Sequence, residues 1–318
     1  MRRRTFIAAS LGSLVVRPPL TLVTRGALAF GTTISVAVLH DDAAQAGRAI
    51  DAALSAAAGV DRLMSIYDAR SQVFQLNRDG VVARPDARLV AVLAQARALA
   101  LLTRGAFDIT VQPLWQACHD ADPALVATLE RGTARERVDW RAVRVQAARV
   151  ALGKHGMGIT LNGLAQGYAA DLALAALKAH GIEHALLDTG EFAACGHKSA
   201  GLPWTVGVAD PREAGALAAS LALDGRCLAT SGDYASTFTP DFLHHHIFDP
   251  ATGYSPRELA SVTVLAPSAM LADGLSTAFM VMGAKKSHAL AARLDKVDLM
   301  TINKRGLVWK SPGFPAAA

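Results

Sequence analysis

Apolar and polar residues alternate along GTTISVAVL, residues 31–39, which predicts a half-buried strand. Asp41 and Asp42 follow, and Ala, Ile and Leu then recur at helical spacing to about Met64, so a helix opens at the acidic pair. A second helix follows Pro85-Asp86 and ends near Gly105. Residues 113–139, rich in Ala, Arg and Asp, read as a peripheral excursion, and VRVQAARVALGKHGMGITL predicts two or three short strands with glycine turns. ITLNGLAQGYAADLALAALKAHG then gives strand, glycine turn and helix, with Gly181 as C-cap, and HALLD adds a strand. Short strands over 204–208, 217–221, 226–230, 245–248 and 261–265 alternate with one more helix and a β-rich tail. Helices and antiparallel strands interleave, so the class is α/β in the mixed α+β sense, with no internal repeat and no low-complexity linker.

That last helix carries the most pointed chemistry. APSAMLADGLSTAFMVMG, residues 266–283, has Asp273 as its only ionisable group, with Thr277 four positions on along the same face. A buried carboxylate is expensive unless a cation or several donors meet it. One carboxylate and one hydroxyl at this spacing can converge on a hard ion such as Mg2+. The other reading is an Asp in the first turn, after Pro267 and Ser268, that complements the helix dipole.

A chain of 318 residues, 52% hydrophobic but only 6% aromatic, takes its apolar content from Ala and Leu, the composition of tightly packed helices. The opening MRRRTFIAASLGSLVV sets three arginines before an apolar run over 6–16 that is too short to span a bilayer. Arg3 and Arg4 before Thr5-Phe6-Ile7 fit the twin-arginine pattern, so 1–26 is expected to be an export signal, cut somewhere from 16 to 29, with the functional domain over 27–318. Removing Arg2, Arg3 and Arg4 takes the formal charge from +5 to +2, so no nucleic acid or other polyanion is implied as partner. Cys118, Cys195 and Cys227 have neither zinc-site nor disulfide spacing, and none lies where a lipid anchor would be attached; no stable membrane anchor is expected.

Four further clusters combine turn residues with polar groups. MSIYDARSQVFQLNR carries Tyr67 and Asp68 at the end of the first long helix, where a ligand-stacking Tyr and a half-buried C-terminal Tyr are both open. GAFDITVQPLW sets Asp108 between Phe107 and Thr110, as a site residue or a cap. SGDYASTF places Ser231-Gly232-Asp233 in a tight turn. In HHHIFDPATGYSP the chain breaks at Asp249-Pro250, so His246 and Asp249 can face one cavity; consecutive residues alternate faces, which leaves His244 and His245 solvated or packed rather than joined on one zinc ion. LNGLAQGYAAD lacks the third glycine of a dinucleotide fingerprint and the Gly-Lys-Ser/Thr of a Walker loop, though its helix N-terminus still offers N–H groups to phosphate.

Taken in order, GAFDIT, the segment from Gly163 to Asp171, TSGDY, HIFDPATG and ADGLST resemble the family of FAD:protein FMN transferases, once described as thiamine-biosynthesis lipoproteins. The resemblance covers nearly the whole chain after about residue 26. It implies a T-fold-like architecture of two subdomains that hold FAD, as substrate, at their junction with Mg2+ on the pyrophosphate. A Thr or Ser hydroxyl of a partner protein would attack the FMN-side phosphorus and AMP would leave. By position, Phe30 would contact flavin ahead of Gly31-Thr32, and Tyr67 would stack near the isoalloxazine. Ala106, Phe107 and Asp108 match adenine and ribose contacts, Thr160 and Gln166 flank the nucleotide, and Phe248 continues that wall. Gly163 would offer its carbonyl to the metal bound by Asp273 and Thr277, and His246 would help deprotonate the acceptor hydroxyl.

The chain also departs from many relatives, with Thr160 in place of Asp, Gln166 in place of Lys or Glu, and Asp188-Thr189-Gly190-Glu191 in place of Gly-Gly-Asp. With the twin-arginine signal these departures resemble the branch associated with nitrous-oxide respiration, which implies a periplasmic enzyme whose acceptor is a flavin domain of a membrane-bound respiratory regulator or redox subunit. An FAD pyrophosphatase releasing FMN and AMP, and a periplasmic FAD-binding protein without turnover, are the competing readings.

Overall fold

The structure is a computed structural model that describes residues 19–129, 131–199 and 201–316. Arg3, Arg4 and the apolar run of the expected export signal lie outside the described residues. The chain begins with a hairpin, β1 (Thr21–Ala29) and β2 (Thr32–His40), followed by α1 (Ala43–Met64), α2 (Gln72–Asp79), β3 (Val81–Ala83) and α3 (Ala87–Leu102). The peripheral excursion holds α4 (Gln112–His119) and α5 (Gly132–Glu136), after which come β4 (Val143–Gln146), β5 (Arg149–Leu152) and α6 (Ala165–Ala179). Strands β6 (Ala185–Asp188), β7 (Phe192–Cys195), β8 (Thr205–Ala209), β9 (Leu217–Ala222), β10 (Cys227–Gly232) and β11 (Leu259–Ala266) lead to α7 (Ala269–Met282). The tail is α8 (Ala284–Ala291), β12 (Asp298–Asn303) and β13 (Val308–Lys310).

The main sheet runs β1-β2-β6-β7-β10-β11-β12-β13, and every neighbouring pair is antiparallel. Alternation on β2 sends Ile34, Val36 and Val38 inward, where α1 and α6 cover them. Those two helices meet through Ala46, Ala49 and Ala53 against Ala170 and Ala173. Small side chains let the helices approach closely, which is how an alanine-rich, aromatic-poor chain builds a core. β11 is buried at every position because α7 lies over one face and the β8–β9 hairpin, with Trp204, Val206 and Leu221, closes the other. A second, smaller unit of α2, α3 and the sheet β3-β5-β4 packs beside this body.

Three sequence expectations change. The boundary after residue 26 falls inside β1, whose ladder with β2 runs from Thr21↔His40 to Ala29↔Thr32. Residues 159–161 are extended but join no ladder; instead the Asn77 amide accepts from Ile159 N–H at 2.7 Å and donates to the Ile159 carbonyl at 2.8 Å. Residues 245–248 form no strand beyond a single antiparallel bridge from His245 to Thr237, because His245 otherwise bonds to Ser255 and Pro256.

A candidate nucleotide and metal site at the junction

Helices α6 and α7 meet end to side, and the site grows from that meeting. α6 has no side-chain cap of its own, yet the Gly167 N–H in its first turn donates to Asp273 Oδ2 at 3.1 Å. In return Asp171 of α6 accepts from the first two N–H groups of α7, Ala269 at 2.8 Å and Met270 at 3.0 Å. Gly167 is required by this packing, since a Cβ there would run into the Ala269 carbonyl. Asp273 is the fifth residue of α7, behind the Ser268 cap, so it is not the first-turn residue of the alternative reading. Burial pushes its carboxyl up to about 7, the Gly167 N–H opposes this, and the Asp171 carboxylate adds to it.

One turn later Thr277 presents its hydroxyl to the same cavity, 3.3 Å from Ser231 Oγ at the end of β10. Gly163 lies against it: a Cβ on Gly163 would stand 2.9 Å from Thr277 Oγ1. Gly163, Asp273 and Thr277 therefore line one wall together.

The cavity has a volume of about 430 Å3, within the range that takes a small-molecule ligand. Ala106, Phe107, Asp108, Thr160, Gln166, His246 and Phe248 all line it. Phe30 does so from the β1–β2 turn, where Phe30 (φ 54°) and Gly31 (φ 72°) are both left-handed, as a two-residue type I′ turn requires. A bulky aromatic residue seldom occupies that region, so the turn carries strain that holds the ring in place. An adjoining cavity of about 270 Å3 shares Phe30, Asn162 and Gln166 and takes Tyr67 as its outer wall. Tyr67 is 70% exposed, with its ring edge-on to Trp115 at 6.2 Å.

Two expected nucleotide contacts are engaged within the protein. Asp108 Oδ1 accepts from the Thr110 N–H and hydroxyl, and Oδ2 from the Trp140 N–H at 3.2 Å, so the capping reading describes it. Burial pushes its carboxyl up while these bonds pull the other way. Gln166 Nε2 donates to the Thr189 carbonyl at 2.8 Å, and the Thr189 hydroxyl donates back to the Gln166 carbonyl at 3.1 Å.

His246 Nδ1 lies 3.0 Å from the Ser236 carbonyl. That contact puts the proton on Nδ1 and leaves Nε2 as an acceptor. Burial holds the imidazole below its ordinary value, partly offset by the Ser236 carbonyl and the Asp233 charge, so it is neutral at pH 7. The loop that carries it is anchored at Asp233, fully buried between Arg212 (two contacts of 2.8 Å) and Lys304 (3.0 Å). His244 and His245 are both buried, in the packing role expected of them. Asp249 does not reach the cavity; its oxygens accept from Ala251 N–H and the Thr252 hydroxyl.

Trp115, Ser231 and Glu191 also line the cavity; the sequence named them only within longer segments and gave none of them a role. Glu191 was visible as part of a departure from a motif, but no local pattern marks a residue that only the tertiary fold buries.

The chain is similar to known proteins in both sequence and fold. The FAD:protein FMN transferase of Haemophilus influenzae is 29% identical over 327 residues, spanning 96% of this chain and 94% of that protein. The protein of the same name from Vibrio cholerae is 31% identical over 243 residues, 73% of this chain and 72% of that one. Among solved structures, the ApbE protein of Thermotoga maritima superposes with a TM-score of 0.81 at 29% identity, over 92% of this chain and 97% of its own. The flavin transferase ApbE of Vibrio cholerae gives a TM-score of 0.80 at 25% identity, over 93% and 99%. A sequence model described as the ApbE family matches residues 30–301, and the chain belongs to that family.

Proposed function

We propose that this protein transfers the FMN moiety of FAD to a Thr or Ser hydroxyl of an exported partner protein and releases AMP. The observation that carries the reading is the placement of an acceptor-ready His246 Nε2 in the same cavity as Asp273 and Thr277, in a chain whose relatives are named for this activity. The acceptor oxygen forms a bond to the FMN-side phosphorus, the bond from that phosphorus to the bridging oxygen breaks, and AMP leaves with that oxygen. The hydroxyl proton passes to His246 Nε2, a general-base role that needs the neutral imidazole.

The donor set fits Mg2+, which takes one or two carboxylates, neutral oxygens and phosphate. Asp273, Thr277 and the Gly163 carbonyl would hold it, and the missing side chain at Gly163 keeps the Thr277 hydroxyl clear. When bound, Mg2+ supplies charge neutralisation on the pyrophosphate. Phe30 and Tyr67 offer aromatic surface to the isoalloxazine across the adjoining cavity, while Ala106, Phe107, Thr160 and Phe248 shape the adenosine end. The twin-arginine motif at Arg3-Arg4 points to the periplasm as the place of action, and the resemblance to the respiratory branch implies the flavin domain of a respiratory regulator or redox subunit as acceptor. A signal cut that spares β1 falls before Thr21.

The test mixes purified protein with FAD, Mg2+ and an acceptor domain bearing a target Thr, then reads the acceptor mass. A gain of one FMN, lost with EDTA and in Asp273→Ala, is the expected result. Free FMN and AMP beside an unlabelled acceptor would replace transfer with hydrolysis, and intact bound FAD would leave a binding protein.

A further inference from the structure

Glu191 sits in the turn between β6 and β7 and lines the same cavity as Asp273 and Thr277. It is 7% exposed, and its Oε2 is buried without a hydrogen-bond partner among the described residues. A buried carboxylate oxygen in that condition is costly and is rarely retained without a ligand to meet it. Burial holds its carboxyl well above the ordinary range and the neighbouring Asp273 carboxylate pushes it further in the same direction, while the Thr230 N–H pulls the other way.

The turn is built to hold this side chain still. Thr189 N–H donates to the Glu191 carbonyl at 3.0 Å, Gly190 N–H donates to Asp188 Oδ1 at 3.0 Å, and Gln166 clamps Thr189 from both sides. Gly190, at φ 94°, lets the Gln166 amide lie directly on the turn, where a Cβ would collide with it. Gln166 and the Asp188–Glu191 segment, two separate departures in the sequence, thus form one hydrogen-bonded unit that presents Glu191 to the cavity.

We propose that Glu191 is a further cation ligand, which with Asp273 and Thr277 gives this protein a two-carboxylate site able to take a divalent ion before any nucleotide arrives. The inference rests on the metal reading above and deepens it. A site with one carboxylate needs the pyrophosphate to complete its charge, whereas two carboxylates already balance a divalent ion. Glu191→Gln keeps shape and burial and removes only the charge.

The experiment titrates the purified protein with Mn2+ in the absence of FAD, reads free Mn2+ by electron paramagnetic resonance, and follows the Mn2+-induced rise in Tm. Wild type is expected to bind one ion. Glu191→Gln should weaken binding at least tenfold and lose most of the Tm rise, with Glu191→Asp between the two and Asp273→Asn weakest. Glu191→Gln with wild-type affinity would overturn the proposal, and if Asp273→Asn still lost binding, the metal reading itself would stand. Wild type that binds no Mn2+ alone, but binds it once FAD is added, would also overturn the two-carboxylate site. Binding that neither substitution alters would overturn the proposal and the metal reading together.

Discussion

Asp171 and Asp273 are exchanged between two helices: Asp171 of α6 caps the first two N–H groups of α7, and Asp273 of α7 accepts the Gly167 N–H in the first turn of α6. The exchange looks symmetric, but only Asp273 lines the cavity. Asp171 meets two donors at a helix N-terminus, so Asp171→Asn is expected to cost about 1–2 kcal/mol of stability in urea denaturation while the purified variant keeps transfer activity. Asp273 is a carboxylate pushed up to about 7 by burial, so its neutral amide should leave the metal-free fold as stable as wild type or more so, and abolish transfer. Equal losses of stability in the two variants would mean that both are structural.

Phe30 exerts opposite effects on folding and on binding. Replacing a core Phe by a smaller residue ordinarily costs about 3–5 kcal/mol. Phe30 is only half-buried, and its left-handed backbone carries about 1–3 kcal/mol of strain that Asn accommodates in a type I′ turn. Phe30→Asn is therefore expected to keep folding stability within about 1 kcal/mol of wild type, by offsetting lost packing with relieved strain. FAD affinity, read by fluorescence titration, should fall by about tenfold, on the order of one aromatic contact. A variant that loses both alike would make Phe30 an ordinary packing residue.

What the sequence disclosed divides along the range of the interactions. Asp42 and Asp86 were legible as helix starts because a cap is made within three residues, and the structure places both at N-caps. Most of β1 fell inside the expected signal, drawn from the arginines and the apolar run before it, because 21–29 shows no alternation of its own; it is a strand because β2 lies beside it. α2 was missed for a related reason, since its eight residues bury only Val73 and Leu76. HHIF at 245–248 reads like a strand, but beyond one bridge from His245 to Thr237 its hydrogen bonds go to side chains and loop carbonyls. Asp273 and Thr277 declared themselves through helical spacing in an apolar run. Glu191 showed only as part of a departure from a motif, and its burial, which elements far from it in sequence create, left no local pattern.

His245 should make the fold sensitive to acid. Its side chain is fully buried, and Nδ1 faces the Ile247 N–H at 3.4 Å, so Nε2 carries the proton toward the Pro256 carbonyl. Burial lowers its value from 6.5 to about 4. Between those two values the unfolded chain binds a proton that the folded chain refuses, so stability falls as pH drops through that window and levels off below it. From pH 7 to pH 5 the loss assigned to this residue is about 2 kcal/mol. His245→Gln, which keeps a donor for Pro256, should show a shallower decline by about that amount in urea denaturation at the two pH values. Parallel declines in wild type and variant would mean that His245 is protonated in the fold.

With His246 as the proposed general base, its titration should set the pH dependence of the reaction. Its Nδ1 proton is held by the Ser236 carbonyl, and burial keeps the ring below its ordinary value, so the base form predominates from pH 7 upward. With saturating FAD and Mg2+, the transfer rate is therefore expected to be nearly flat from pH 7 to 8 and to fall at a pH below the ordinary imidazole value, as the ring takes up its proton. Were the ring instead raised by the negative charge nearby, the rate would still be climbing between pH 7 and 8. His246→Ala should bind FAD with unchanged affinity, transfer FMN about a hundredfold more slowly or worse, and lose the acid limb of the profile. A variant that is slow but keeps that limb would assign the titration to another group. Wild-type rates in His246→Ala would remove the imidazole from the reaction.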